Sequence, residues 1–280
     1  MFQSIKFSFL GFLYKIVCLI LYFVDVIFDR HAKVVVLCYK TIGRSDPDSI
    51  SIDNFKKQIN ILLKHRNPVS LYDVYYHILD KKALVKKSFA VTFDGGDKSI
   101  LLVKDFLKEN GIKPTVFVIS DRKNSSANHQ YDCLNKRSLH KLSSEGWDIG
   151  CHSDSHADFG KLSSLERKKE IRDSKLKLKK LGFNIRFFSY PYGKYSQSIV
   201  SSVKKARYWM ALSYDNNVIL PRSDLYSVPR IIARNFSFEL FFLASISPSV
   251  MLLNRLLKKL SIRIDMRYNN NFTLPSYKGY

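Results

Sequence analysis

An aspartate closing an apolar run, two histidines four residues apart and a Tyr-Pro-Tyr-Gly loop are the parts of this chain best suited to chemistry. The first lies in Phe89-Ala90-Val91-Thr92-Phe93-Asp94-Gly95-Gly96-Asp97. Its front half is β-rich and apolar; its end is acidic and glycine-rich, as a buried strand looks where it leaves a sheet. Glycine lets backbone approach a ligand, and a carboxylate at a strand's C-terminal end sits where α/β folds build active sites. The second is His152-Ser153-Asp154-Ser155-His156, which follows the strand-like run Trp147 to Cys151. If this segment turns helically, both imidazoles fall on one side and can face one metal ion. The third is Tyr190-Pro191-Tyr192-Gly193, after the strand-like Phe187 to Tyr190.

The elements that position these groups alternate. Lys33 to Tyr39, the run ending at Asp94, Pro114 to Ile119, Trp147 to Cys151, Phe187 to Tyr190, Trp209 to Ser213 and Val228 to Ile232 read as strands. Between them, Asp53 opens a helix with Phe55, Ile59, Leu62 and Leu63 on one face. Further helices are expected over Leu71 to Leu79, Ser99 to Asn110, Ser138 to Glu145 and Ser198 to Ala206. Ser163 and Glu166 have capping-box spacing and start a basic helix whose lysines, Lys175 among them, read as a solvated face. Strand and helix in turn predict parallel strands with outer helices, closed or nearly closed into a distorted (β/α) barrel.

The chain has 280 residues, 46% of them hydrophobic, enough for one large α/β domain with short extensions. Three parts are expected: an N-terminal segment over 1–30, the α/β domain over 31–236 and a C-terminal amphipathic extension over 237–280. The net charge of +22 implies attraction to a polyanion. No nucleic-acid motif accompanies it, and the aromatics follow core periodicity, so no nucleic-acid partner is expected. Phe7 to Phe28 is apolar and aromatic but carries Lys15 and Asp25. It reads as a weak signal-anchor or an interfacial helix in preference to a buried one, giving a membrane-associated protein whose side of the membrane stays open. No small-residue cleavage site follows it. Glu239 to Leu260, broken by Pro248, is a second membrane-surface helix or a helix packed on the domain. The four cysteines form no CxxC pair; Cys38 and Cys151 lie in apolar runs and read as core. Oligomeric state is not legible.

In combination the three stretches resemble the NodB-like polysaccharide deacetylases, a carbohydrate esterase family. Thr92-Phe93-Asp94-Gly95-Gly96 stands for the family's Thr-Phe-Asp-Asp-Gly, and His152 to His156 for its His-Ser/Thr-x-x-His. Phe188 to Gly193 stands for its Pro-Tyr-Gly loop, and Gly111 to Val118 also agrees. The Tyr-Pro-Tyr-Gly loop and Val228-Pro229-Arg230-Ile231 resemble the branch acting on exopolysaccharides or poly-N-acetylglucosamine.

The resemblance implies a hydrolase of amide bonds that frees an amine on an N-acetylated sugar, in a polysaccharide or lipid-linked saccharide. It implies a divalent metal, zinc in most members, that polarises the acetamide carbonyl. His152 and His156 would be metal ligands, Asp94 the general base, and the backbone near Tyr192 a stabiliser of the oxyanion. Tyr190, Pro191 and Arg230 would contact substrate. The chain departs from the pattern in several places. Gly95 replaces a metal-binding Asp, which leaves Asp97 or Asp154 as a third ligand. Ser189 replaces an arginine that orients the base, a role Arg230 can take over. Tyr39-Lys40 replaces a Tyr-His pair, and no histidine follows His156 to act as general acid. The alternative to an active enzyme is therefore a degenerate member that binds saccharide at the membrane without hydrolysing it.

Overall fold

The sheet is built from short runs of β-branched and aromatic residues whose side chains are buried on both faces, as parallel sheets require. In the computed structural model, residues 2–84, 87–121, 132–236 and 238–260 are described. The strands are β1 (Val34–Tyr39), β2 (Thr41–Ile42), β3 (Ser49–Ile50), β4 (Asn67–Pro68), β5 (Ser88–Gly95), β6 (Thr115–Val118), β7 (Asp148–Cys151), β8 (Phe187–Ser189), β9 (Met210–Leu212) and β10 (Ile231–Ile232). The helices are α1 (Phe2–Ile27), α2 (Ile52–His65), α3 (Leu71–Ile78), α4 (Lys104–Glu109), α5 (Lys136–Ser144), α6 (Ser164–Lys180), α7 (Gln197–Lys205), α8 (Glu239–Ser245) and α9 (Pro248–Lys259).

The main sheet runs β10-β1-β5-β6-β7-β8-β9, every pair parallel, and β4 lies against the start of β5. It curls into the expected barrel. After β9 the chain bonds back to it, Ser213 N–H donating to the Val228 carbonyl at 2.8 Å. A few residues on, Ile231 and Ile232 pair with Leu37 and Cys38 of β1. One short segment thus touches both edges of the sheet. Inside, Phe93 stacks between Phe55 and Trp147, and Gly150 is pressed on Phe117. A Cβ at Gly150 would sit 2.4 Å from the Phe117 ring, so no larger residue fits there without a shift.

Local signals placed most helices within a few residues. Ser163 and Glu166 do form a reciprocal capping box at the start of α6. The cap of α2 is Ser51 and not Asp53: the Ser51 oxygen reaches the Asn54 N–H, while Asp53 lies inside the first turn, where its charge favours the helix dipole. The stretch from Ser99 begins as a 3-10 turn over Lys98–Val103, capped by Asp97, before α4. Lys175 is not part of a solvated face. It is buried, its ammonium donates to the Ala206 and Arg207 carbonyls at 3.0 and 2.6 Å, and burial pushes its pKa down to about 8.

The terminal helices pack on each other. Tyr14 and Cys18 of α1 are buried against Ala244 of α8 and Val250 of α9. Asp25, fully enclosed, accepts hydrogen bonds from the Ser249 N–H and hydroxyl at 2.8 and 2.6 Å, which caps α9 with a residue of α1. Other apolar residues of α1 stay uncovered, Phe12, Ile16, Ile20, Phe23 and Ile27 among them. Among the described residues no single helix is long and apolar enough to cross a membrane; α8 and α9 pass only as a pair bent by 69°. Residues 261–280 of the expected C-terminal extension lie outside the described residues.

Candidate active site

Asp94 ends β5 with its carboxylate buried and fully engaged. Arg230 spans both oxygens at 2.8 Å, and Ser189 Oγ and Tyr214 OH donate to Oδ2 at 3.0 and 2.6 Å. Arg230 itself is enclosed, bonded also to Thr92 Oγ1 and Ser189 Oγ. Burial alone would raise the Asp94 pKa. The Arg230 charge and the hydrogen bonds from Arg230 and Tyr214 outweigh it and hold the carboxyl well below the usual carboxylate range. Asp94 is therefore ionised at any working pH.

His152 follows β7. Its Nδ1 lies 2.9 Å from the Ser189 carbonyl oxygen, which can only accept, so Nδ1 carries the proton and Nε2 keeps its lone pair. Nε2 lies 3.9 Å from Asp94 Oδ2. Burial lowers the pKa of His152, and it pushes His156 down to about 3. Both rings are neutral at pH 7, with centroids 4.8 Å apart.

The helical turn expected over 152–156 does not form. Ser153 and His156 have left-handed backbone, φ 67° and 61°. Glu170 of α6 holds the loop instead: its carboxylate takes the Asp154 and Ser155 N–H groups at 2.9 Å each. The two rings still meet, because the loop folds back on itself through the His156 N–H to Ser153 Oγ bond.

Tyr192 reaches this group from the next loop. It is half-exposed, also left-handed at φ 57°, and its ring lies 4.7 Å from that of His156. Tyr190 and Pro191 correct the sequence reading. Both are buried, and Tyr190 spends its hydroxyl on the Tyr226 carbonyl and its ring face on Tyr195, so neither is placed to contact substrate. Arg230, expected on the substrate side, is enclosed and spent on Asp94.

Residues 81–211 match the sequence model of the polysaccharide deacetylase family. Over that stretch the chain is similar to the family. A poly-beta-1,6-N-acetyl-D-glucosamine N-deacetylase of Staphylococcus epidermidis is 28% identical over 202 residues, covering 68% of this chain and 70% of the relative. The structure of IcaB from Ammonifex degensii superposes with a TM-score of 0.69 at 20% identity, covering 78% of this chain and 99% of that one. A Streptococcus pyogenes deacetylase, PplD, solved with acetate, gives 0.64 at 21% identity, covering 72% and 92%. The curled parallel sheet is thus the fold of these deacetylases.

Deacetylases of this family are generally metal-dependent, and the donor set of this chain tests whether a metal fits. His152 and His156 offer two neutral nitrogens. Asp97 does not join them: it is enclosed, ion-paired with Arg44 at 3.0 Å and caps the 3-10 turn through the Ser99 N–H. Asp154 is bound to Lys177 and to the Ser120 hydroxyl. Asp94 is taken by its four donors. Among the described residues no three His, Cys, Asp or Glu side chains are arranged around a metal position. Catalytic zinc usually has three protein ligands, and the residues present do not fit that centre.

Two members of this site carry no signal in the sequence. Tyr214 sits 120 residues from Asp94, and Glu170 lies within a run of lysines that reads as surface.

Proposed function

We propose that this chain removes N-acetyl groups from an amino-sugar polysaccharide or lipid-linked saccharide held at a membrane surface. The observation that carries the reading is the pairing of an ionised, arginine-anchored Asp94 with a neutral His152 at the mouth of a deacetylase-family barrel. The similarity to a poly-beta-1,6-N-acetyl-D-glucosamine N-deacetylase favours an amino sugar as substrate.

The reaction adds water across the amide: its oxygen joins the acetyl carbon, the C–N bond breaks, and the sugar nitrogen leaves as an amine with acetate as co-product. Water beside Asp94 and His152 meets one open acceptor, the His152 Nε2, for the proton it must lose. Asp94 stays charged throughout and offsets positive charge arising on His152. The Tyr192 ring offers an apolar face to the acetyl group or a pyranose. Acetate release by the purified full chain from poly-N-acetylglucosamine tests the proposal. A folded Asp94→Asn variant should lose about a hundred- to ten-thousandfold of that rate; no release by the native chain defeats the reading.

Gly95 and the absence of a histidine after His156 favour a second reading, in which the chain binds the saccharide and leaves it intact. Retention on immobilised polymer without acetate release identifies that case. For location, the uncovered apolar residues of α1, together with a net charge of +22, support contact with an anionic lipid surface.

A further inference from the structure

The positive charge of the chain gathers on two neighbouring helices. Helix α6 carries eight lysines and arginines against three acids. Those acids are spent locally: Glu166 on the capping box, Glu170 on the Asp154 and Ser155 amides, and Asp173 on Arg172. From Ser196 to Met210, through the whole of α7, there is no acidic residue.

Lys168, Arg172, Lys175 and Lys179 follow one another at four, three and four residues, a single stripe of α6. Lys175 turns inward, and its bonds to the Ala206 and Arg207 carbonyls clamp the end of α7 beside the stripe. On α7, Ser198 meets Arg167 of α6 at 3.1 Å, and Lys205 stands two turns further along that same face. Lys168, Arg172, Lys179, Lys205 and Arg207 are all exposed, and they border the groove between the two helices. Of these five, Arg172 is ion-paired, and the other four have no acidic partner among the described residues. The stripe on α6 alone is about 16 Å long.

The groove lies across the barrel from the uncovered apolar helix. Helix α8, which packs on α1, also touches α2, and α2 covers β1 and β5 through Phe55. Helix α6 sits on β7, where the Cys151 thiol donates to Ser174, on the far side of the ring. With a bilayer under α1, the basic groove therefore faces water. That orientation rests on the lipid reading of α1 given above. Leu165 and Leu176 are exposed on α6 but stand eleven residues apart, too far to form an apolar patch. The nearby rings are already taken, Tyr208 by Lys175, Trp209 by Arg186 and Tyr226 by Lys204, so none is offered for a base to stack on. What remains is a row of ammonium point charges, which suits phosphate oxygens.

We propose that the groove between α6 and α7 binds a linear, water-borne phosphate polymer, apart from the barrel mouth and from the lipid-facing helix. The polymer lies along the stripe, and each lysine neutralises one phosphate.

The test is calorimetric titration of the full chain with long-chain inorganic polyphosphate at several salt concentrations. Two triple variants lose equal charge from exposed positions: Lys168→Gln, Lys179→Gln and Lys205→Gln in the groove, and Lys57→Gln, Lys64→Gln and Lys108→Gln on α2 and α4. The groove triple should bind at least about tenfold more weakly than the native chain, with the slope of log affinity against log salt reduced by about three. The α2 and α4 triple should keep the native affinity, because its charges are screened beyond a Debye length of about 8 Å. No binding by the native chain overturns the proposal, as does equal affinity of the two triples. Phosphatidylglycerol vesicles should sediment both triples alike; loss of sedimentation in the groove triple alone gives this face to lipid and also overturns it. The titration contains neither lipid nor saccharide, so its failure leaves the membrane reading and the proposed activity standing.

Discussion

Arg230 meets Asp94 across 136 residues of chain, one guanidinium nitrogen to each carboxylate oxygen, with both side chains sealed from solvent. Removing one partner of such a pair leaves an unpaired charge in the interior. Arg230→Ala should therefore cost about 3–5 kcal/mol in urea unfolding at pH 7. Adding Asp94→Asn to it should recover part of that loss by neutralising the orphaned charge. Because the folded Asp94 pKa is depressed, the pair's contribution is complete above the unfolded value and fades only as pH falls through the folded one. The deficit should thus be flat from pH 6 to 8. A deficit under about 1 kcal/mol would contradict the pairing.

Asp148 gives the opposite sign. Burial raises its pKa from 3.8 to about 6, and its Oδ2 has no hydrogen-bond partner. The folded state then binds more protons than the unfolded between these values, so stability falls as pH rises through that window. Asp148→Asn should match the native melting temperature at pH 4 and exceed it at pH 7.5. A gap that does not widen with pH would show that Asp148 is not a titrating burden.

Tyr214→Phe removes the shortest hydrogen bond to Asp94 and leaves Arg230 in place. A hydrogen bond to a charged group is worth about 1.5–3 kcal/mol, so unfolding should shift by that order. In the acetate assay kcat should drop while KM holds, since the hydroxyl orients Asp94 and does not touch the sugar. A KM change of the same size as the kcat change would place Tyr214 in saccharide binding.

Much of this was legible beforehand, and the failures share a cause. Strands β1, β5 and β6 are dense in Val, Phe and Thr, and their alternation with amphipathic helices announces the barrel. Asp94, His152 and Tyr192 stood out because each follows such a run. Tyr190 looked like a ligand contact by sitting beside them, yet its side chain turns inward to Tyr226. Lys175 looked solvated because its neighbours are; its partner carbonyls belong to the end of α7, which no pattern in α6 reveals. Tyr214 and Glu170 act across more than a dozen residues of separation, and contacts of that range leave no local mark.

Asp25→Ala should release α9 from α1, because it deletes both acceptors used by Ser249. Losing a cap costs about 1 kcal/mol, too little to unfold the barrel. Amide exchange should quicken across α9 and α1 alone. Deleting residues 1–30 should go further and lower sedimentation with anionic vesicles, the remainder being released by salt. Undiminished vesicle binding by the deleted chain would remove α1 from the lipid-facing surface.

The segment that returns from β9 to β1 also carries Arg230, and this orders events during synthesis. A ribosome delivers the Asp94 strand long before it delivers the counter-charge. Until the last third of the polypeptide emerges, the growing barrel has an open seam and an acidic side chain with no cation to bury against. Completion of the ring and neutralisation of its interior are one event, so a prematurely terminated product lacks both.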